Sequence, residues 1–189
     1  MLAAISRAEL VSALEVEIHS TKTKVDDATL STFSAYVLSV TCHNSHKRWT
    51  LEKRYSEFDE LYSQLGAGAD PKFSFESPFP GKKLHVLMVW GALSPEIIER
   101  RRVQLHAFMS ELLLKLQTQW SVLAAVMAQE SAERGHMSGQ MMGGHPHSGH
   151  GAAEQREEAR QMASPRLLEY CAAVATFLQV GGGGVRIKS

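Results

Sequence analysis

A surplus of charge of either sign is missing from this chain. Its 189 residues hold 20 Lys and Arg against 20 Asp and Glu, for a formal net charge of +0. A duplex nucleic-acid binder usually carries a clear basic excess, so that class is excluded and no nucleic-acid partner is expected. Cysteine is scarce as well: Cys42 and Cys171 stand alone and far apart. No disulfide framework or CxxC metal pair is available, and two free thiols suit a reducing compartment, with both side chains in the core. Long apolar runs are lacking. The stretches around 84–93 and 167–180 are too short or too broken by polar residues to cross a bilayer, which needs about 20 apolar residues. The N-terminus lacks the basic-then-apolar order of a signal peptide. A soluble, cytoplasmic protein is the expectation. Its 44% hydrophobic content excludes a chain disordered throughout, and its length suits one compact domain.

Catalytic signatures are missing too. There is no HExxH, GxSxG, EF-hand loop or Walker loop, since Gly81-Lys82-Lys83 lacks both the upstream glycine and a Ser or Thr after the lysine. The expectation is a protein that is not an enzyme and needs no cofactor.

What is present changes period along the chain. Val16, Ile18 and Ser20 alternate with polar neighbours, 20–31 is polar and turn-like, and Phe33 to Cys42 places Tyr36, Leu38, Val40 and Cys42 on one face. After the turn Asn44-Ser45-His46, Trp49 and Leu51 share one strand face while Thr50, Glu52 and Arg54 share the other. Three strands joined this closely predict an antiparallel meander. From Ser56 the period turns helical: Tyr55, Phe58, Leu61, Tyr62 and Leu65 fall on one helix face, with Ser56 as the cap. Gly66 and Gly68 stop that helix, and Pro71, Pro78, Pro80 and Gly81 punctuate an extended loop.

A second helix is predicted from Pro95 to Gln117, capped by Ser94, with helical patterning again from Trp120 to about Ala132. Its apolar face is Ile97, Leu105, Phe108, Leu112 and Leu116, and Arg101 completes that stripe. Arg100 and Arg102 point away from it and are expected to face solvent. Residues 135–151 hold six Gly, four His and three Met, which predicts a disordered insertion. Helix returns over 152–162 and again after Pro165, where Leu167, Leu168, Cys171, Val174, Phe177 and Leu178 form a face; 181–189 is a loose tail. The fold class is therefore α+β: a three-stranded meander packed against a helical subdomain, with a His/Met/Gly-rich insertion.

Basic residues recur at the joins. Lys53 and Arg54 lie where the third strand enters the first helix, Lys82 and Lys83 follow Pro80-Gly81, and Arg101 faces inward. An inward arginine needs a partner, and either a carboxylate or a bound phosphate serves. Arginine suits phosphate through its bidentate fork. Structural alternatives stand beside this: Arg54 paired with Glu52 or Glu57, Arg101 paired with Glu57 or Asp59, and Lys82 simply solvated.

These residues carry a resemblance. Lys53-Arg54-Tyr55-Ser56-Glu57-Phe58, then Pro78-Phe79-Pro80-Gly81-Lys82, then Arg101 four residues ahead of Leu105, and the terminal Val174-Ala175-Thr176-Phe177-Leu178 resemble the phox-homology (PX) domain, the phosphoinositide-binding module of sorting nexins, over about residues 10–180. The resemblance implies that Arg54 binds the 3-phosphate of the inositol ring and Tyr55 packs against that ring. Lys82 would meet the 1-phosphate, and Arg101 the 4- and 5-hydroxyls. The proline loop departs from the family, whose prolines are three apart where Pro78 and Pro80 are two apart, so that Lys83 is an alternative to Lys82. Val86, Leu87, Met88, Val89 and Trp90 follow the lysines, and the resemblance implies that this loop dips into the bilayer. Burial is worth roughly 1.5 to 3 kcal/mol per large apolar side chain.

The expected function is recruitment to a phosphoinositide-containing membrane surface, peripheral on endosomal membranes, through phosphatidylinositol 3-phosphate, in protein sorting with trafficking-complex partners. The alternatives are a protein-interaction module that no longer binds lipid, and a metal-responsive protein. For the latter, His136, His145, His147 and His150 with nearby methionines suit copper or nickel, but no fixed spacing holds them, so no metal site is expected. On this view Arg54, Lys82 and Arg101 converge on one pocket while the acidic residues lie elsewhere.

Overall fold

The computed structural model describes residues 8–66, 74–81, 94–137 and 165–180, with no side-chain description for 130–137 and 165. Lys82, Lys83, the Val86 to Trp90 run, residues 138–151 of the insertion, the helix expected over 152–162 and the 181–189 tail lie outside the described residues.

One helical turn over 8–12 leads into β1 (Leu14–Val25), which pairs antiparallel with β2 (Thr32–Cys42), itself antiparallel to β3 (Lys47–Arg54), in the order β1-β2-β3. The meander read from the sequence is present. Of the predicted inner face, Val16, Ile18, Tyr36, Leu38, Val40, Cys42 and Leu51 are buried, joined by Leu14, while Ser20 and Trp49 are only partly buried. One expectation is corrected, because β1 does not stop near Ser20 but continues to Val25, paired with Thr32 to Val37. The polar half of that strand is held by backbone bonding and by Lys22 and Lys24, which both pair with Glu52 on β3. The register shifts between Ile18 and Ser20, leaving His19 as the extra residue of a bulge.

Helix α1 (Tyr55–Gln64) starts directly from β3. Arg54 occupies the N-cap position, and its backbone N–H donates to Glu57 Oε2 at 2.7 Å. Ser56 is thus already inside the first turn rather than the cap, because Glu57 at the third helical position reaches back to satisfy the free N–H. Phe58, Leu61 and Leu65 bury the inner face.

Helix α2 (Pro95–Met137) is one continuous helix of 43 residues. Ser94 caps it as predicted, its Oγ accepting from Ile97 N–H at 3.4 Å. The two helical stretches expected from the sequence are joined through Thr118 and Gln119 without a break. The helix also runs through Gly135, His136 and Met137, which the sequence assigned to the insertion. A lone glycine costs a helix only about 1 kcal/mol, and Ser131 to Arg134 contain no other breaker. Leu105, Phe108, Met109, Leu112, Leu113 and Leu116 are buried, and Trp120 and Leu123 are partly buried against the core.

The outer edge of β1 is covered by this helix. Ile18 N–H donates to His106 Nδ1 at 3.3 Å, Ile18 O accepts from Arg102 Nη1, and Gln117 Nε2 donates to Leu14 O at 3.2 Å. Arg102 is therefore not the solvent-facing residue expected. It forks onto Glu99 at 2.9 and 2.7 Å and closes the bulge, supplying the donor that a broken ladder leaves wanting.

Helix α3 (Pro165–Phe177) packs Leu167, Tyr170, Cys171, Val174 and Phe177 into the core, which it shares with α1 through the rings of Phe58 and Phe177, 5.0 Å apart. Its C-terminal turn is tied to the sheet by Trp49, whose indole N–H donates to Leu178 O at 3.0 Å. Both cysteines are buried and free, as expected, and burial pushes the Cys171 thiol up to about 12.

Candidate functional site

The strand-to-helix joint fixes the first basic cluster. Alternation along β3 sends Lys53 inward and Arg54 outward, and the immediate start of α1 brings Glu57 back over both. Lys53 is buried, its ammonium 2.9 Å from Glu57 Oε1 and 5.0 Å from the centre of the Phe177 ring. Glu57 is thus shared between Lys53 and the Arg54 backbone, and its carboxylate pairs with neither Arg54's guanidinium nor Arg101.

Arg54's partner is instead Asp26, in the β1–β2 turn. Arg54 Nη2 donates to Asp26 Oδ2 at 2.6 Å, and its guanidinium lies over Phe33 with Cζ 3.4 Å from the ring centre. The arginine beside Asp26 holds that carboxyl below its ordinary value of 3.8, helped by the backbone N–H groups of Thr29 and Ala28. This corrects the expectation that the acidic residues lie away from the basic site. No local spacing could have shown it, because 28 residues separate the pair.

The proline-rich segment is positioned by aromatic rings. Phe79 stacks on Tyr62 of α1 at 4.2 Å and meets Phe108 of α2 edge-on at 5.1 Å; Phe75 packs on Phe108 at 5.0 Å. Glu111, a position the sequence reading passed over, accepts from the backbone N–H groups of Glu76 and Ser77 at 2.8 and 2.9 Å. Burial alone would raise its carboxyl, but these bonds outweigh that and hold it below 4.5. So anchored, the segment presents Pro80 and Gly81 to the other two clusters. Tyr55's hydroxyl donates to Pro80 O, and Arg101 Nη2 donates to Gly81 O at 3.3 Å.

Arg101 joins α1 to the proline-rich segment through Tyr55 and Gly81. It is 7% exposed, its Cζ lies 4.4 Å from the centre of the Tyr55 ring, and its Nε is buried without a hydrogen-bond partner. Among the described residues no carboxylate forms an ion pair with it, so the expected alternatives, Glu57 and Asp59, do not neutralise it. Burial pushes the phenol of buried Tyr36 up, and the Arg101 charge works against that rise. The structure thus brings Tyr55 and Arg101 together at Pro80 and Gly81, while the Arg54 guanidinium lies on Phe33 and Asp26.

A groove of about 550 Å³ lies elsewhere, between β1 and α2, lined by Val16, Glu17, His43, His106, Leu113 and Gln117; none of the basic candidates reaches it. Among the described residues there is no cluster of metal-ligating side chains, and no helix is long and apolar enough to cross a membrane.

Residues 41–120 match the family model of the PX domain. Over 102 residues, 52% of its length, the chain is 26% identical to a probable serine/threonine-protein kinase of Dictyostelium discoideum, of which it spans 4%. The matched span begins at the end of β2, takes in the strand-to-helix joint and the aromatic-anchored segment, and ends in α2 beyond Arg101. Among the described residues no carboxylate pairs with the buried Arg101 guanidinium, which is set between the Tyr55 ring and the Gly81 carbonyl, and the span 41–120 that holds this arrangement is the part of the chain that is similar to the PX domain.

Proposed function

We propose that the chain binds phosphatidylinositol 3-phosphate and is recruited by it to the cytoplasmic face of endosomal membranes, where it serves protein sorting as a binding module rather than an enzyme. The observation that carries this reading is Arg101. A guanidinium 7% exposed with an unpartnered Nε is costly for a protein to keep unless a ligand supplies the missing acceptors. In the bound state Arg101 bonds the 4- and 5-hydroxyls, Tyr55 covers the ring, Arg54 takes the 3-phosphate and Lys82 the 1-phosphate. Val86 to Trp90 add apolar contact with the bilayer. The kinase activity named for the relative does not transfer: the chain has neither the His-Arg-Asp nor the Asp-Phe-Gly triplet of a protein kinase.

Flotation with vesicles of phosphatidylcholine, with and without each phosphoinositide, tests the reading. Wild type should float best with the 3-phosphorylated lipid, and Arg54→Ala should lose at least about ten-fold in affinity, the scale of a charge-assisted bidentate contact. Equal flotation with neutral vesicles, or an intact response in Arg54→Ala, sinks the proposal.

A further inference from the structure

The phosphate-binding arginine of the proposed site already holds an anion. Arg54 is bonded to Asp26 at 2.6 Å and seated on Phe33, with 40% of its side chain still exposed. Asp26 is not placed there by the arginine. Its Oδ1 accepts from the N–H groups of Ala28 and Thr29 at 3.1 and 3.2 Å, its own N–H donates to Ser31 O at 2.9 Å, and its carbonyl accepts from Leu30 N–H at 2.7 Å. The turn fixes the carboxylate and leaves Oδ2 to face Arg54. An incoming anion therefore meets an internal competitor that is already in place and loses no translational freedom on binding.

We propose that Asp26 is the specificity-determining residue of the headgroup site, an internal counter-ion that a ligand must displace from Arg54. This rests on the lipid reading above. A carboxylate carries one negative charge on two oxygens. A phosphomonoester carries about 1.5 to 2 on three, so it has both the charge and the acceptors to take the guanidinium from Asp26. A phosphodiester, or the carboxylate of phosphatidylserine, carries no more charge than Asp26 and gains nothing by the exchange. The pair therefore admits inositol lipids bearing a monoester phosphate and rejects the bulk acidic lipid of the same leaflet. Its cost is affinity, since every productive binding event begins by breaking the pair.

Asp26→Asn and Asp26→Ser remove the charge while leaving an oxygen for the Ala28 and Thr29 N–H groups, so the turn survives; thermal melting checks this. Both variants and wild type are titrated with phosphatidylcholine vesicles carrying phosphatidylinositol 3-phosphate or phosphatidylserine. The expected result is tighter binding of both variants to the phosphoinositide by about two- to five-fold, the scale on which a half-exposed ion pair acts. Binding to phosphatidylserine should rise by a larger factor, so that discrimination falls. If wild type binds the phosphoinositide and natively melting variants gain nothing or weaken, the competitor role is overturned and the lipid reading stands. If the variants bind and wild type does not, the competitor is upheld and the lipid reading of the wild-type chain fails. If none binds above plain phosphatidylcholine, both fall.

Discussion

Arg101 joins a structural cost to a binding role in one residue. It lies buried on the α2 stripe with the Tyr55 ring at 4.4 Å and the Gly81 carbonyl as one hydrogen-bond acceptor, and its Nε has none. Replacing a buried charge by an apolar side chain of similar length is often neutral or stabilising, since the desolvation penalty disappears. Arg101→Met should therefore melt at or above the wild-type temperature while losing headgroup binding. A clear fall in melting temperature would show that the arginine is a structural fixture. Lys53 is the instructive contrast. It too is buried, but its charge is met internally by Glu57 at 2.9 Å and by the Phe177 ring.

Among the elements, the short segment over 74–81 has the most influence for its size. It has no regular structure, and its position comes from two rings and one carboxylate: Phe75 and Phe79 set among Tyr62 and Phe108, and Glu111 holding the Glu76 and Ser77 N–H groups. Through Pro80 and Gly81 it holds Tyr55 and Arg101. Phe79→Ala removes the half-buried ring stacked between α1 and α2 and should cost on the order of 2 kcal/mol of stability. It should weaken binding more than that loss alone explains, because the segment that delivers Gly81 and the following lysines is released. Chemical denaturation measures the first effect and vesicle titration of the folded variant the second. Unchanged binding would mean that the backbone holds the segment without the ring.

At the scale of the whole molecule, several carboxylates among the described residues are held by basic partners. Asp26 is held below its ordinary 3.8 by Arg54, and Glu52 and Glu99 lie below 4.5 through Lys22 with Lys24 and through Arg102 respectively. For each, the folded state favours the ionised form. The stability so gained is present above the ordinary carboxylate values and is lost as pH falls through the lowered ones. Melting temperature should be nearly flat from about pH 7 to about pH 5 and should drop progressively below that. The decline should be shallower in Asp26→Asn, which has one fewer such carboxylate. A melting temperature that holds level down to about pH 3 would show that these pairs contribute nothing to folding.

Periodicity alone determined β2, β3 and the first half of β1, the inner face from Val16 to Leu51, the helix carrying Tyr55 to Leu65, and the inward placing of Arg101. Each follows from residues within a few positions of one another, where side-chain direction is fixed by the local backbone. The Lys53 to Phe58 motif and the spacing of Arg101 from Leu105 were legible through the resemblance to the PX domain, which reads short contiguous stretches of sequence. Contacts between distant segments were not. Asp26 reaches Arg54 across 28 residues, Arg102 closes a bulge at Ile18 across 84, and Glu111 gathers a loop 34 and 35 residues away. Which carboxylate meets which guanidinium depends on how strands pair and helices dock, and composition fixes only the total. The balanced charge of the sequence therefore told nothing of its arrangement. The tertiary structure decided that Lys53 and Arg54 are paired internally while Arg101, a few ångströms from the same tyrosine, is left with an open donor.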